Sequence, residues 1–393
     1  GNNEQINAGH VTTTYAAGDI IGIAVSVDDE TITFYKDNSA IETDTDWSGK
    51  GWTTIKPFVS SSNSAGDEVV VLNFGHDSSF AGTETAQGNA DENGYGDFYY
   101  APPSGYLALC TANLPEPTIG SNSATTSDQN FNTVLYTGNG STQNITGVGF
   151  QPDWVWIKNR AATDSHALTD SVRGVTEQLS SDATTAEVTN ADGLTAFGTD
   201  GFSLGDDVIY NTNTETYVSW NWKAGTAVSG TTSGAGTGKA YSGSVNTDAG
   251  FSIITYKGNA TDNHTIPHHL GVVPDFISVK NRDAAEGWVA YTTPTLATHF
   301  LGWNSTGAAA DSDGEWSDTT PTSSVFTLGT QDRVNTDDAD YIAYCWSSVE
   351  GYSKVGSYTG NANVVGPFVY TGFRPSFVMF KNAAGAGNSW LIF

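Results

Sequence analysis

Three segments of the chain begin alike, and this repetition constrains the fold more than any other feature. They start Tyr136-Thr137-Gly138-Asn139, Tyr256-Lys257-Gly258-Asn259 and Tyr358-Thr359-Gly360-Asn361. Each continues to a Gly-x-x-Pro: Gly149-Phe150-Gln151-Pro152, Gly271-Val272-Val273-Pro274 and Gly372-Phe373-Arg374-Pro375. Each then enters a strand-like run ending in Lys-Asn, at Lys158-Asn159, Lys280-Asn281 and Lys381-Asn382. The first two copies also share their far ends. Leu204-Gly205 precedes Tyr217-Val218-Ser219-Trp220-Asn221-Trp222, and Leu328-Gly329 precedes Tyr341-Ile342-Ala343-Tyr344-Cys345-Trp346, at the same offset of 124 residues. The third copy reaches Trp390-Leu391-Ile392-Phe393, the counterpart of Trp288-Val289-Ala290-Tyr291, so the natural polypeptide is expected to continue past Phe393.

Alternation along the shared strand separates two faces. Val155 and Ile157 fall on one face with Ile277/Val279 and Val378/Phe380. Trp154/Trp156, Phe276/Ser278 and Phe377/Met379 fall on the other. Both faces are largely apolar, which predicts an inner strand of a two-sheet sandwich. The proline before each strand cannot donate to a ladder and suits a strand start. The Gly-Asn pairs suit tight turns.

The first 118 residues follow another pattern. Gly18-Asp19-Ile20-Ile21-Gly22-Ile23-Ala24-Val25 and Thr31-Ile32-Thr33-Phe34-Tyr35-Lys36-Asp37-Asn38 predict a hairpin around the acidic turn Asp28-Asp29. Pro57-Phe58-Val59-Ser60 and Val69-Val70-Val71-Leu72-Asn73-Phe74-Gly75 predict two more strands. Pro102-Pro103-Ser104-Gly105-Tyr106 and Leu114-Pro115-Glu116-Pro117 close the unit. Residues 119–130 read as a polar connector. Residues 225–248, rich in Gly, Ser and Thr, read as a flexible connector or a lightly packed strand start.

Composition agrees with many short strands joined by turns. Charged residues are only 15% of the 393, yet 11 Trp, 17 Tyr and 18 Phe are too many for a disordered chain. The formal net charge of −28 argues against binding nucleic acid through phosphates and against an anionic membrane surface. It suits solubility. Cys110 and Cys345 lie in different expected domains and predict two buried thiols rather than a disulfide. No apolar run is long enough for a transmembrane helix, and no signal peptide is visible. The chain begins at Gly1 and holds one methionine, Met379, so it is expected to be a fragment.

The hairpin, Pro57-Phe58-Val59 and Leu72-Asn73-Phe74-Gly75 together resemble the SPRY domain, a bent β-sandwich used for binding, over roughly residues 10–118. SPRY domains carry further strands before this hairpin, and those are missing here. The repeats resemble modules of tail-fibre and other virion proteins of marine tailed phages. The residues carrying this are Gly250-Phe251-Ser252-Ile253-Ile254-Thr255-Tyr256-Lys257-Gly258-Asn259, His268-His269-Leu270-Gly271-Val272-Val273-Pro274-Asp275 and Ile277-Ser278-Val279-Lys280-Asn281-Arg282. The first copy has Thr146-Gly147-Val148-Gly149 where the second has His268-His269-Leu270-Gly271, so a role for these histidines is not shared. The resemblances imply a structural or adhesive role and transfer no catalytic residue.

Several residues admit either a chemical or a simple structural role. His264, His268 and His269 could converge on a metal, or merely occupy a turn before a strand. Asp91-Glu92-Asn93-Gly94-Tyr95-Gly96-Asp97 and Asp311-Ser312-Asp313-Gly314-Glu315 have a partial likeness to calcium loops. Tyr95 interrupts the first, and the glycine comes too early in the second. Gly234-Ala235-Gly236-Thr237-Gly238-Lys239 fails as a phosphate loop because Ser233 and Ala240 stand where Gly and Ser/Thr are needed. Acid pairs such as Asp206-Asp207 are uninformative alone. Trp47, Trp52, Tyr95 and Tyr99 could stack on sugars if exposed.

The expectation is therefore an all-β chain: a SPRY-like (concanavalin-like) sandwich at 1–118, then tandem β-sandwich repeats at 128–225, 240–350 and 351–393. It is expected to be a phage virion protein, a tail fibre or surface appendage, without catalytic residues, metal or cofactor. Its expected partners are other virion proteins, a host-surface glycan or protein, and copies of itself, a trimer being favoured. Its expected location is the virion, assembled in the host cytoplasm and extracellular after lysis. The rivals are a purely architectural capsid-decoration or tail-connector protein, a polysaccharide depolymerase with paired carboxylates in a cleft, and a bacterial adhesin with a secretion signal.

Overall fold

The computed structural model describes residues 16, 18–45, 70–114, 117–120 and 123–393. The chain divides into two compact units, Gly1–Pro115 and Glu116–Phe393. The described residues are nearly all β, with only short helical turns.

In the first unit, β1 (Ile21–Ser26), β2 (Thr31–Lys36) and β3 (Ser39–Asp44) form an antiparallel meander. The hairpin turns at Asp28-Asp29, where the Asp29 carboxylate accepts from Ser26 Oγ at 2.9 Å. The apolar run at Val70-Val71-Leu72 does not form the expected strand. All three residues are exposed, and no strand pairs with them among the described residues. Asn73 turns the chain there instead, its Oδ1 accepting from the amides of Gly75, His76 and Asp77. Pro57–Ser60, Val69, Trp47 and Trp52 lie outside the described residues.

In the second unit one arrangement occurs twice. The first comprises β4 (Phe131–Thr137), β5 (Gln143–Thr146), β6 (Trp154–Asn159), β7 (Ala167–Asp170), β8 (Glu177–Ser180), β9 (Val188–Thr189), β10 (Leu194–Gly198), β11 (Gly201–Leu204), the turn α1 (Val208–Asn211) and β12 (Thr216–Trp222). A six-stranded sheet β4-β12-β6-β7-β8-β9 accompanies a small sheet β10-β11-β5. Residues 226–246 then supply β13 (Thr226–Thr231), β14 (Ser233–Gly234) and β15 (Ala240–Asn246), so of the two readings of this stretch the lightly packed strand holds and the flexible connector does not. The mostly exposed side chains of β13 and β14 leave no apolar pattern to read, and β15 buries only Gly243, Ser244 and Val245. The second arrangement comprises β16 (Phe251–Lys257), β17 (His264–Pro267), β18 (Phe276–Asn281), β19 (Val289–Thr292), β20 (His299–Gly302), β21 (Ala310–Asp311), α2 (Asp313–Trp316), β22 (Val325–Leu328), α3 (Asp332–Asn335) and β23 (Asp340–Trp346). Its sheets are β13-β15-β16-β23-β18-β19-β20-β21 and β14-β17-β22. In the last segment, β24 (Met379–Phe380) pairs with β25 (Leu391–Ile392).

Registers repeat residue for residue. Tyr217 lies opposite Tyr136 and Asn159 on its two neighbouring strands, as Tyr341 lies opposite Tyr256 and Asn281. Phe380 pairs with Leu391 as Val279 pairs with Val289 and Ile157 with Ala167.

The shared motifs now have physical reasons. Tyr136 stacks on Tyr217 with ring centroids 5.0 Å apart, and Tyr256 on Tyr341 at 5.1 Å. A Cβ on Gly138 or Gly258 would stand 2.2 Å from the carbonyl oxygen of Thr212 or Thr336, so no larger residue fits. Asn211 and Asn335, both fully buried, tie the loop that follows. Asn335 Nδ2 donates to the carbonyls of Thr261 and Gly329, and its Oδ1 accepts from the Asn259 amide. In the Lys-Asn pairs the ammonium is crowned by loop carbonyls. Lys158 donates to those of Asn159, Ala162 and Asp164, and Lys280 to those of Asn281 and Ala284.

The two faces foreseen from alternation both bury, against different partners. Val155 and Ile157 pack in a core with Leu204, Phe202 and Tyr217 of their own copy, and Ile277 and Val279 do likewise in theirs. The tryptophan face meets the other copies. Trp154, Trp156, Trp220 and Trp222 join Phe251, Trp288, Trp303 and Tyr344 in one aromatic core, on which Phe377, Met379 and Trp390 of the last segment also pack. Burial of this much aromatic surface, at roughly 25 cal/mol per Å², is what fuses the copies.

Candidate functional site

The three histidines do not converge. His264 Nε2 lies 2.8 Å from Thr232 Oγ1 and its Nδ1 2.9 Å from the Ala235 carbonyl. His268 faces the Thr322 carbonyl at 3.0 Å, and His269 the Tyr241 hydroxyl at 2.9 Å. Burial lowers the pKa of all three, which keeps them neutral inside the fold.

The Asp91 carboxylate is filled by the protein. Oδ1 accepts from the amides of Asn93 and Tyr95, and Oδ2 from the Ala108 amide and Asn113 Nδ2. These bonds outweigh burial and lower its pKa. The segment Asp311–Glu315 is split between roles. Asp311 pairs in β21 with His299, Ser312 caps α2, and Glu315 is fully buried against Arg333 at 2.7 Å. Lys239 is held by Asp337 and Asp338. Asp207 caps α1 through the Ile209 amide, and Asp206 is exposed. Among the described residues no group of three or more His, Cys, Asp or Glu could hold a metal ion. Nor, among them, is any helix long and apolar enough to cross a membrane. Cys110 is partly exposed rather than buried, whereas Cys345 is fully buried; both are free. Tyr95 is exposed on its loop, and Tyr99 is half-buried against Tyr100 and Phe80.

Two other features stand out. An open depression of about 410 Å³ is lined by Asp262, Asp313, Gly314, Ser317, Asp318 and Thr330. Ser317 Oγ already bonds Asp262 and the Leu328 carbonyl there. The second is an ionic clasp between copies that sequence reading missed. Arg173, with no exposed side-chain surface, pairs with Asp170 and with Glu187 at 2.7 Å. Glu187 in turn holds Arg282 of the next copy at 2.6 Å. Tyr344 donates to Asp170 Oδ2 at 2.7 Å and accepts from Arg173 Nη2. The carboxylates keep the Arg173 guanidinium charged despite its burial.

The contact between copies recurs. Trp288 Nε1 donates to the carbonyl of Ser180, which ends β8, and Trp390 Nε1 donates to that of Gly302, which ends β20. Likewise the Glu187 amide donates to the Arg282 carbonyl at 2.9 Å, and the Ala309 amide to the Ala383 carbonyl at 2.8 Å. One head-to-tail interface is used twice in succession.

What the arrangement defines is a class: a β-rich protein whose ionisable side chains mainly hold loops and copies together. Over residues 126–393 the chain matches the family described as "Domain of unknown function (DUF7483)", and it belongs to that family. No curated protein sequence and no solved structure matches it.

Proposed function

We propose that the chain is a virion structural protein of a tailed phage, a tail fibre or another surface appendage, that meets the host surface through loops of its β modules. In this reading residues 1–118 are a SPRY-like sandwich, followed by tandem modules at 128–225, 240–350 and 351–393. The observation that carries it is the head-to-tail contact used twice, Trp288 on Ser180 and Trp390 on Gly302. A contact that repeats in one direction builds a linear array from a single module, the economy expected of an appendage. The partners are other virion proteins, a host glycan or protein, and copies of the chain in a homo-oligomer.

The purely architectural role is the second reading. It is favoured by Asp91 and Glu315, whose carboxylates are turned to internal partners rather than outward. One experiment separates the two. An antibody against the chain is applied to phage particles for gold labelling, and the purified chain is added to host cells before infection. Labelled particles whose adsorption is blocked by the chain support adhesion. Labelled particles with unchanged adsorption leave the architectural role. Unlabelled particles end both readings.

A further inference from the structure

The chain holds two Asn-Gly pairs, Asn93-Gly94 and Asn139-Gly140. An asparagine before glycine can react with its own backbone, because glycine has no side chain to keep its nitrogen from the asparagine Cγ. The fold treats the two pairs differently. Asn139 is anchored. Its Oδ1 accepts from the Ser141 amide at 2.8 Å and from Asn211 Nδ2 at 3.2 Å, and its own amide donates to Asn211 Oδ1. The Gly140 amide donates to the Asn211 carbonyl at 2.9 Å, and a Cβ on Gly140 would stand 3.1 Å from that of Asn213. Asn211 itself is fully buried. Asn93 and Gly94 are both exposed, and no residue beyond the chain neighbours lies within 4 Å of the position a Gly94 Cβ would take. The Gly94 amide donates across its own turn, to the Asp91 carbonyl. Among the described residues the Asn93 side chain is tied by one bond, Nδ2 to Asn113 Oδ1 at 2.9 Å.

We propose that Asn93 is a site of spontaneous deamidation, with water as the only co-reactant, and that its product loosens the loop built on Asp91. The Gly94 nitrogen bonds to Asn93 Cγ as the Cγ–Nδ2 bond breaks, and ammonia leaves carrying the Gly94 amide proton. Water then opens the resulting cyclic imide at either carbonyl, giving aspartate or isoaspartate. Either product loses the donor that Asn93 gives to Asn113. Either also sets a new carboxylate beside Asn113, whose Nδ2 serves Asp91 Oδ2. Isoaspartate in addition lengthens the backbone by one atom between the amides of residues 93 and 95, both of which donate to Asp91 Oδ1 at 2.9 Å. This inference does not depend on the proposed function.

The test holds the whole, freshly purified chain in mildly alkaline buffer and follows both pairs by peptide mapping, with isoaspartate counted by enzymatic methylation. In urea, where only local sequence acts, the two pairs should convert at similar rates. In the native chain Asn93 should convert at least about tenfold faster than Asn139, which must first break its bonds to Ser141 and Asn211. Ageing should speed hydrogen exchange at the Tyr95 and Ala108 amides, which Asp91 holds. Asn93→Asp, a copy of the aspartate product, should show the faster exchange from the start. Asn93→Gln, whose longer side chain closes the ring far more slowly, should not change with age. Equal native rates at the two pairs overturn the proposal, as does an Asn93 that converts in urea but not in the native chain. Unchanged exchange in both the aged chain and Asn93→Asp overturns the loosening.

Discussion

The indole of Trp288 donates to the carbonyl oxygen of Ser180 at 2.8 Å, across the boundary between two copies of one sequence motif. Trp390 repeats the bond one copy later, to Gly302 at 3.0 Å. Trp288 is 1% exposed, whereas Trp390 is only partly buried. Trp288→Phe keeps an aromatic ring but leaves the Ser180 carbonyl unpaired inside the core. A buried acceptor so orphaned costs about 1–3 kcal/mol, with a further cavity term. We expect Trp288→Phe to lower the urea midpoint clearly and Trp390→Phe to lower it less. Tryptophan fluorescence reports this well, because all of the 11 tryptophans except Trp47 and Trp52 lie in the second unit. Equal losses for the two variants would refute the ranking by burial.

Glu187 makes a second prediction, since it bridges buried Arg173 to Arg282. Removing one partner of a buried pair leaves a charge uncompensated, at about 3–5 kcal/mol. Glu187→Ala is expected in that range. Arg282→Ala should cost less, because its side chain is 19% exposed and water can replace part of what is lost. The double variant should lose less than the two single losses added. Additive losses in urea denaturation would show that Glu187 does not couple the copies.

Much of this was legible in the sequence where side chains follow period two. Val155/Ile157 and Trp154/Trp156 were separated by alternation alone, and their two cores are the two buried faces. The reason for Gly138 and Gly258 lies in backbone from residues 212 and 336, which no local pattern discloses. The stretch 226–246 reads as either connector or strand because its strands are held by main-chain pairing with few buried side chains. The run at Val70 misled for the opposite reason, being apolar yet lacking a partner strand among the described residues. The Arg173–Glu187–Arg282 clasp was invisible to repeat comparison, because Arg173 aligns with no arginine in the second copy. The histidines and acidic loops drew attention by residue type; the fold uses the histidines and Asp91 as hydrogen-bonding braces and pairs Glu315 with Arg333.

Lys280 gives the last prediction, through pH. Its side chain has no exposed surface, no carboxylate bonds it directly, and burial pushes its pKa down to about 8. In the unfolded chain a lysine titrates near 10.4. Below about pH 8 both states carry the charge, and the folded state bears the full desolvation cost. Between about pH 8 and 10 the folded lysine loses its proton first, so the unfolded state binds more protons and stability rises with pH. Buried tyrosines act oppositely. Burial raises the pKa of Tyr256 and Tyr344, so their contribution is present at lower pH and is lost only above about pH 10, where unfolded tyrosine ionises. Within the window between about pH 8 and 10 the buried Cys345 thiol opposes the lysine, because burial pushes its pKa up to about 12 while an unfolded thiol ionises at about 8.5. Cys345→Ala removes that contribution and isolates the lysine. In Cys345→Ala the urea midpoint of the second unit should climb from about pH 8 to 10, and adding Lys280→Met, similar in length and without charge, should flatten the climb. A Cys345→Ala midpoint that stays level across that window, or a climb that persists once Lys280→Met is added, would place the proton uptake elsewhere.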